Sequence, residues 1–129
     1  HVIPGLIAKM HKAKEQKAKE FKIWGTGKPL REFLYVDDLS RAIEYLIFNK
    51  PEESLLNIGS GIEITIYDLA KKIKEVVEFE GQLNFDSTKP DGNPRKLLDS
   101  STINKLGWSP EVNLDNGLRL TYKWYLNNL

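Results

Sequence analysis

Four basic side chains and one tryptophan are the residues of this sequence best suited to hold a ligand. Arginine binds phosphate oxygens through paired hydrogen bonds, and lysine binds them as a point charge. An indole face can stack on a nucleobase. These residues all stand in loops or at the ends of predicted elements; they are Lys9, Trp24, Arg31, Arg95 and Lys96. The set predicts a site for a ligand that carries both phosphate and an aromatic base.

The stretch Lys89–Asp99 contributes two of these bases and has neither a helical nor a strand period. Its Pro-Asp-Gly tripeptide at 90–92 is typical of a turn, because proline presets φ and glycine accepts positive φ. The adjacent bases Arg95 and Lys96 lead directly into Leu97 and Leu98. The pattern predicts an ordered loop that is held at its apolar end and presents charge to an anion. The alternative is a solvated surface loop.

Other chemistries find less support in the sequence. His11 stands among lysines on a predicted helix and is expected at the surface. One of the adjacent acids, Asp37 or Asp38, is predicted to cap a helix, since a metal site needs more ligands than these two. Gly25 and Gly27 lack the third glycine of a dinucleotide-binding fingerprint and are explained by a turn. No metal site is predicted.

Composition excludes several classes of protein. The 129 residues suffice for one domain with a real core, and a net charge of +1 argues against a nucleic-acid binder. There is no cysteine, as in many proteins of reducing compartments, and no apolar run of membrane-spanning length. We therefore expect a cytoplasmic globular domain. The chain begins with His1 rather than methionine, and an apolar pattern runs from Val2, so we expect it to be cut from a longer chain.

Helices and short strands alternate along the sequence, which predicts an α/β or mixed α+β class. A first helix is expected from Pro4. Strands at 21–24 and 31–36 are predicted to form a hairpin around the glycine turn, and a buried strand is predicted at 55–58. A further strand is expected at 82–85, just before the charged loop.

Three more helices have recognisable ends or faces. Thr65 begins a capping-box pattern, and Gly81 is expected to end the helix that follows. Asp99 is predicted to cap a short helix through Leu106. The last helix is expected to place five apolar side chains on one face: Leu118, Tyr122, Tyr125, Leu126 and Leu129.

The order of the motifs resembles a known family. The segments that carry the resemblance are His-Val-Ile-Pro at 1–4, Trp-Gly-Thr-Gly at 24–27, Arg31–Leu39, Asn-Ile-Gly-Ser-Gly at 57–61 and Lys89–Asp99. Together they resemble the C-terminal part of the GDP-L-fucose synthase family, within the extended short-chain dehydrogenases/reductases. The Arg-Glu-Phe and Val-Asp-Asp-Leu signature is shared by many nucleotide-sugar epimerases and dehydratases. The 89–99 run and Trp108 are more particular to this family, and the resemblance covers essentially the whole chain.

The resemblance implies a reaction. Members of the family epimerise C3 and C5 of GDP-4-keto-6-deoxy-D-mannose and reduce C4 with NADPH to give GDP-L-fucose, as homodimers without a metal. By match to the family, His1 is the proton donor of the epimerisation and lies near the cofactor, a role that suits the near-neutral pKa of histidine. The residues that match substrate-binding positions are Lys9, Trp24, Arg31, Asp91 and Lys96.

Departures from the family pattern restrict what this chain can do alone. In the family, the glycine-rich cofactor loop, the catalytic serine and the catalytic Tyr-x-x-x-Lys pair all precede the position that matches His1, so the resemblance implies that they lie outside this chain. We therefore expect residues 1–129 to be a C-terminal substrate-binding fragment without its Rossmann half and without activity of its own. Packing against the missing N-terminal domain should leave an exposed apolar patch, around the helix after Asp38 and at Leu55, that could drive self-association.

Two other interpretations stay open. The chain could belong to another nucleotide-sugar epimerase or dehydratase, since these enzymes share part of the signature. It could also be a non-enzymatic module that binds nucleotides or RNA with the same bases and tryptophans. The near-zero net charge weighs against RNA, as does the lack of a strand with base-stacking aromatics.

Overall fold

The computed structural model describes residues 1–52 and 55–129. Within these ranges the chain forms helices and short strands in alternation, in agreement with the predicted mixed α/β class. In chain order the elements are α1 (Val2–Glu15), β1 (Glu20–Trp24), β2 (Leu30–Glu32), α2 (Val36–Asn49), β3 (Glu63–Thr65), α3 (Ile66–Val77), β4 (Gln82–Asp86), β5 (Arg95–Lys96), α4 (Ser101–Lys105) and α5 (Leu114–Asn127).

The strands form two small sheets. β1 pairs in parallel with β4, with Trp24 opposite Asp86. β2 lies between β3, which is antiparallel to it, and β5, which is parallel to it. The predicted hairpin is therefore wrong, because β1 and β2 belong to different sheets. Distant segments bind the two strand ends: Gly25 N–H donates to Asp86 O at 2.9 Å and Leu30 N–H donates to Pro94 O at 2.9 Å. The second strand is also shorter than the predicted 31–36.

The main core lies where α1, α3 and α5 pack together. Apolar side chains at helical spacing meet there, as the periodicity predicts. The buried residues are Ile7, Met10, Ala13, Leu69, Ile73, Val77, Phe79, Leu118 and Tyr122. Leu126 and Leu129 were expected on the same face of α5, but they are 43% and 73% exposed. The prediction fails there because Leu129 lies beyond the end of α5 at Asn127, and Leu126 is not among the side chains that pack against the core.

Capping follows the sequence at α3 but not at every helix. Thr65 Oγ1 accepts a hydrogen bond from Asp68 N–H at 3.0 Å and donates to Asp68 Oδ2 at 2.6 Å, which confirms the predicted cap. The helix ends at Val77 rather than at Gly81, because Glu78 takes a left-handed conformation with φ 58°. Asp99 acts one position earlier than a usual cap. Its Oδ1 accepts from Ser101 N–H at 3.0 Å, while Ser100 is the N-cap of α4.

Neither Asp37 nor Asp38 caps α2. The N-cap is Tyr35, and Asp38 lies inside the first turn with its side chain fully buried. The carboxylate accepts hydrogen bonds from Arg41 and from the backbone N–H groups of Glu111 (3.3 Å) and Val112 (2.9 Å). It therefore fastens α2 to the segment before α5. Nowhere in the two described ranges do three or more His, Asp or Glu side chains form a group that could hold a metal ion.

His11 is not the surface residue that its lysine neighbours suggested. Its ring lies against Tyr122 and Tyr125 with edge-on geometry, and Nδ1 is 2.9 Å from the Tyr122 hydroxyl. Nε2 is 3.5 Å from Glu15 Oε1 and has no hydrogen-bond partner among the described residues. The prediction fails because α5, distant in sequence, packs over this part of α1.

One face of α2 is apolar and exposed. We call it the α2 patch and define it by Val36, Leu39, Ile43 and Ile47, of which Ile47 is 63% exposed. Leu55 is 85% exposed as well. The exposed apolar surface expected at these two places is thus confirmed. The buried strand predicted at 55–58 is wrong, since these residues form no strand. None of the helices in the described ranges has the length and apolar character needed to cross a membrane.

Candidate functional site

A cavity of about 300 Å³ opens between α1, β1, β2 and loop 89–94. It brings together five of the six site residues that the family resemblance implies, although they are spread over about ninety residues of chain. Its lining is formed by His1, Val2, Gly5, Leu6, Lys9, Phe21, Lys22, Ile23, Trp24, Arg31, Ile66 and Asp91. Lys96, the sixth predicted residue, is not part of the lining.

Helix α1 places His1 and Lys9 along one side of the cavity. His1, Gly5 and Lys9 follow one another at intervals of four residues, so they share one face of the helix. Gly5 lies between the two polar side chains, and a β-carbon added there would meet nothing within 4 Å. The missing side chain therefore keeps this part of the cavity open.

Strand β1 places Trp24 at the opposite side. Ile23 is buried, and the strand alternation directs Lys22 and Trp24 to the other face. The Trp24 side chain is 73% exposed, and Lys89 Nζ lies 5.8 Å from the centroid of its ring. Sequence reasoning missed Lys22 as a site residue. The signal was the strand alternation itself, which puts Lys22 on the same face as Trp24.

Asp91 reaches the cavity from loop 89–94. Its Oδ1 accepts from Thr26 N–H at 2.6 Å, and its Oδ2 accepts from the Thr26 hydroxyl at 2.7 Å. These hydrogen bonds hold the pKa of Asp91 below its ordinary value, so the carboxylate stays ionised. Asp91 does not cap its own turn; it bonds to a turn 65 residues earlier in the chain.

Arg31 and Lys96 are neighbours across the second sheet. They are register partners on β2 and β5, so their side chains leave the same face of the sheet. Arg31 Nη1 donates to Leu30 O at 2.7 Å, and Nη2 lies 3.9 Å from the position of a β-carbon at Gly92. Lys96 is exposed and lies one strand farther from the cavity.

Arg95 does not take part in the cavity, contrary to the expectation from composition. Its Nε and Nη2 donate to the two carboxylate oxygens of Glu63, both at 2.7 Å. Hydrogen bonding to Glu63 raises the pKa of Arg95, and the reciprocal bond from Arg95 lowers the pKa of Glu63. The guanidinium therefore links β5 to β3 and is not available to an anion in the cavity.

The Lys89–Asp99 loop is not held by burial of its leucine side chains, contrary to the prediction. Leu97 and Leu98 are 40% and 47% exposed. Hydrogen bonds hold the loop instead, from Leu30 N–H to Pro94 O at 2.9 Å and from Leu98 N–H to the side-chain oxygen Glu32 Oε2 at 3.1 Å. The loop is ordered by polar contacts with β2.

The cavity offers a definite chemistry. Lys9, Lys22 and Arg31 bring three positive charges, which suit the oxygens of a diphosphate. Trp24 offers an exposed indole face for a base, and Asp91 can accept hydrogen bonds from hydroxyl or N–H groups. His1 is the one side chain of the lining whose ordinary pKa is suited to proton transfer near neutral pH.

Comparison with known proteins finds a family model and named relatives that are similar to this chain. Residues 1–59 match the model of the NAD dependent epimerase/dehydratase family. A protein named probable GDP-L-fucose synthase 1, from Oryza sativa subsp. japonica, is 54% identical over 129 residues, which are 100% of this chain and 39% of that protein. The GDP-L-fucose synthase of Escherichia coli strain K12 is 42% identical and matches 99% of this chain.

A solved structure has the same fold. The GDP-L-fucose synthetase of Naegleria fowleri bound to NADP superposes with a TM-score of 0.92 at 31% identity, over 99% of this chain and 40% of that one. The chain thus spans about two fifths of the length of the relatives that it matches, 39% of the rice protein and 43% of the bacterial one.

Proposed function

We propose that this chain is the C-terminal, substrate-binding part of a GDP-L-fucose synthase, a proposal supported by its similarity to the NAD dependent epimerase/dehydratase family model and to proteins of that name. The intact protein would epimerise C3 and C5 of GDP-4-keto-6-deoxy-D-mannose and reduce C4 to give GDP-L-fucose. Residues 1–129 would supply the GDP-sugar site. The observation that carries this proposal is the single cavity lined by His1, Lys9, Trp24, Arg31 and Asp91.

The lining divides naturally between the two ends of such a substrate. Arg31 and Lys9 suit the diphosphate, and the exposed indole of Trp24 suits the purine. Asp91, kept ionised by Thr26, can accept from sugar hydroxyls or from guanine N–H groups. We propose that Lys96 contributes positive charge at the outer rim, beside its register partner Arg31.

His1 would be the proton donor of the epimerisation. Protons on the carbons next to a ketone are acidic, so epimerisation at C3 and C5 needs a group that returns a proton to the other face of each carbon. An imidazole can do so near neutral pH, where both of its protonation states are populated. His1 opens α1 at the cavity wall, four residues before the gap left by Gly5.

The cofactor would be held mainly by residues outside this chain. The related Naegleria protein has been solved with NADP bound, and we propose NADP(H) for the intact protein. It would supply hydride to C4. This chain would contribute His1 beside the cofactor, and nothing in the proposal calls for a metal.

The α2 patch would face the N-terminal half of the intact protein. Its four apolar side chains are exposed here, and burying each against a partner would be favourable by up to about 1.5–3 kcal/mol.

The homodimer expected from the resemblance belongs to the intact protein. The cytoplasmic location remains a prediction of the sequence.

Nucleotide titration of the protein tests the proposal. We expect GDP to bind saturably and to quench tryptophan fluorescence, with UDP weaker. Trp24→Ala should remove the quenching, and Arg31→Ala should weaken GDP binding about 10- to 100-fold, because bonds to charged groups contribute roughly 1.5–3 kcal/mol.

Two variants on α5 serve as matched controls. Trp124→Ala removes another exposed tryptophan, and Arg119→Ala removes a second arginine, both outside the cavity lining. GDP affinity should be the same as in the wild type for both. Equal losses in the cavity and control variants would reject the site, and tight, salt-sensitive binding of single-stranded RNA would favour the binding-module interpretation.

A second GDP-sugar reaction is favoured by one comparison. The GDP-mannoheptose C4 reductase MlghC from Campylobacter jejuni, solved with NADP bound, superposes with a TM-score of 0.86 at 35% identity over 98% of this chain and 45% of that one. A substrate test with the intact protein distinguishes the two reactions. If the intact protein turns over a GDP-4-keto-heptose and does not turn over GDP-4-keto-6-deoxy-D-mannose, its reaction is that of a heptose reductase.

A further inference from the structure

The glycine turn after β1 is built around the Asp91 carboxylate. Gly25 has φ 88°, and a β-carbon at this position would clash with Asp91 Oδ1. Its N–H donates to Asp86 O at 2.9 Å, so the turn stays in line with the β1–β4 sheet. The turn therefore approaches the loop more closely than a residue with a side chain would allow.

The Thr26 hydroxyl lies at the centre of this contact. It donates to Asp91 Oδ2 at 2.7 Å and accepts from Lys28 N–H at 3.2 Å. The backbone N–H of Thr26 donates separately to Asp91 Oδ1 at 2.6 Å. Thr26 thus binds both oxygens of the Asp91 carboxylate. Its hydroxyl also stabilises the glycine turn to which Thr26 belongs.

The loop has few other attachments near Asp91. Lys89 N–H donates to Asp86 O at 3.1 Å, and Leu30 N–H donates to Pro94 O at 2.9 Å, so both ends of loop 89–94 are tied to the sheets. Within the described residues, residues 90–93 between these ends receive side-chain and backbone hydrogen bonds from Thr26 alone. The position of Asp91 against the cavity depends on this one residue.

From this geometry we infer that Thr26 is a positioning residue, whose hydroxyl fixes Asp91 in the orientation that faces the cavity. Thr26 does not line the cavity itself. It orders Asp91 before the ligand arrives, so that binding does not incur the entropy of ordering the loop. The inference rests on the proposed GDP-sugar site and adds a residue to it that makes no ligand contact.

The test is the GDP affinity of the intact protein by isothermal titration calorimetry. Thr26→Val removes the hydroxyl and keeps the side-chain volume and the backbone N–H. We expect this variant to weaken GDP binding about tenfold, which is the effect of losing one hydrogen bond to a charged group. Thr26→Ser keeps the hydroxyl and should restore the wild-type affinity to within about twofold, an amount of less than 0.5 kcal/mol.

A double-mutant cycle separates this inference from the proposed function. Asp91→Asn should weaken GDP binding. Adding Thr26→Val to that variant should cause no further loss of GDP affinity if Thr26 acts through Asp91. If Asp91→Asn weakens GDP while Thr26→Val and Thr26→Ala both bind like the wild type, the inference is overturned and the site stands. If the wild type does not bind GDP, the site itself is rejected and the inference with it. Thermal unfolding of each variant excludes a loss caused by misfolding.

Discussion

At the residue scale, Lys22 is the clearest addition that the structure makes to the site. Its ammonium belongs to an exposed side chain in the cavity lining, beside Trp24 on the same face of β1. The charge would attract a diphosphate without the geometric selectivity of an arginine. Lys22 should therefore contribute to affinity more than to specificity.

Replacing Lys22 by alanine should weaken GDP by about three- to fivefold, because partly exposed charge pairs contribute roughly 1 kcal/mol or less. The loss should shrink at high salt, where exposed charges are screened. Calorimetry at two salt concentrations measures both effects. Lys123→Ala, an exposed lysine on α5, is the control and should bind like the wild type at either concentration.

His1 allows a test that separates chemistry from binding. In the intact protein, His1→Asn should slow deuterium exchange at C3 and C5 of the substrate in D₂O by about 10²- to 10⁴-fold, the usual contribution of a general acid or base. GDP affinity should change little, since the diphosphate and base are held by other residues. Mass spectrometry of recovered substrate follows the exchange. Undiminished exchange in the variant would assign the proton transfer to another group.

The sequence predicted residue types better than residue partners. Lys9, Trp24 and Arg31 were identified from their chemistry and do line one cavity. Arg95 has the same chemistry but is paired with Glu63, a residue 32 positions away that no local pattern connects to it. Thr26 was noted only within the segment 24–27 that carries the family resemblance, because its partner Asp91 is also distant. The topology of the fold decides which distant residues pair, and the local periodicity of the sequence carries no information about the topology.

At the element scale, the junction between α2 and the segment before α5 depends on Asp38. Burial acts to raise the pKa of Asp38, but hydrogen bonds from Arg41, Val112 N–H and Glu111 N–H outweigh it, and the pKa lies below its ordinary value. Its contribution to stability is therefore complete above the unfolded-state pKa of about 3.9 and is lost as the pH falls through the folded-state pKa.

Asp38→Asn should lower the free energy of unfolding at pH 7 by about 1–3 kcal/mol, since buried donors lose a charged acceptor. The difference from the wild type should narrow as the pH falls below 4. Urea denaturation at pH 7 and pH 3 measures it. Asp37→Asn is the matched control: it removes an exposed carboxylate from the same helical turn and should change stability by less than about 0.5 kcal/mol.

The cap of α3 gives a second element-scale prediction. Thr65→Ala should destabilise the protein by about 1 kcal/mol, because Asp68 N–H loses its acceptor. Thr65→Ser should retain most of the stability. Denaturant titration of both variants provides the comparison, and equal losses would mean that the methyl group rather than the hydroxyl matters.

Element types were predicted well and element pairing was not. The helices at α1, α3 and α5 and the strands β1 and β4 occur where periodicity placed them. The predicted hairpin is wrong because the chain passes from one sheet to the other at the turn that contains Gly25 and Gly27. The sequence of this turn does not indicate which strands will pair. The prediction of a strand at 55–58 is wrong because an apolar run indicates burial but does not indicate which surface covers it.

At the scale of the whole molecule, the α2 patch should make this chain associate with itself. Exposed apolar surface of this kind is favourable to bury against another molecule. Sedimentation velocity of the 129-residue chain should show mass increasing with concentration, and Ile43→Glu combined with Ile47→Glu should abolish the increase. Leu120→Glu, an exposed leucine on α5, is the control and should still associate. A monodisperse monomer at all concentrations would contradict the prediction.

The bond between Thr26 and Asp91 also constrains when the cavity can form during synthesis. The two residues are 65 positions apart, and β1 cannot pair with β4 before Gln82–Asp86 has been made. Closing so long a loop is slow compared with forming α1 or α3. A nascent chain that has just left the ribosome through Val77 would lack β4 and loop 89–94, so it would have no ligand site. The pocket should therefore be one of the last parts of this polypeptide to mature.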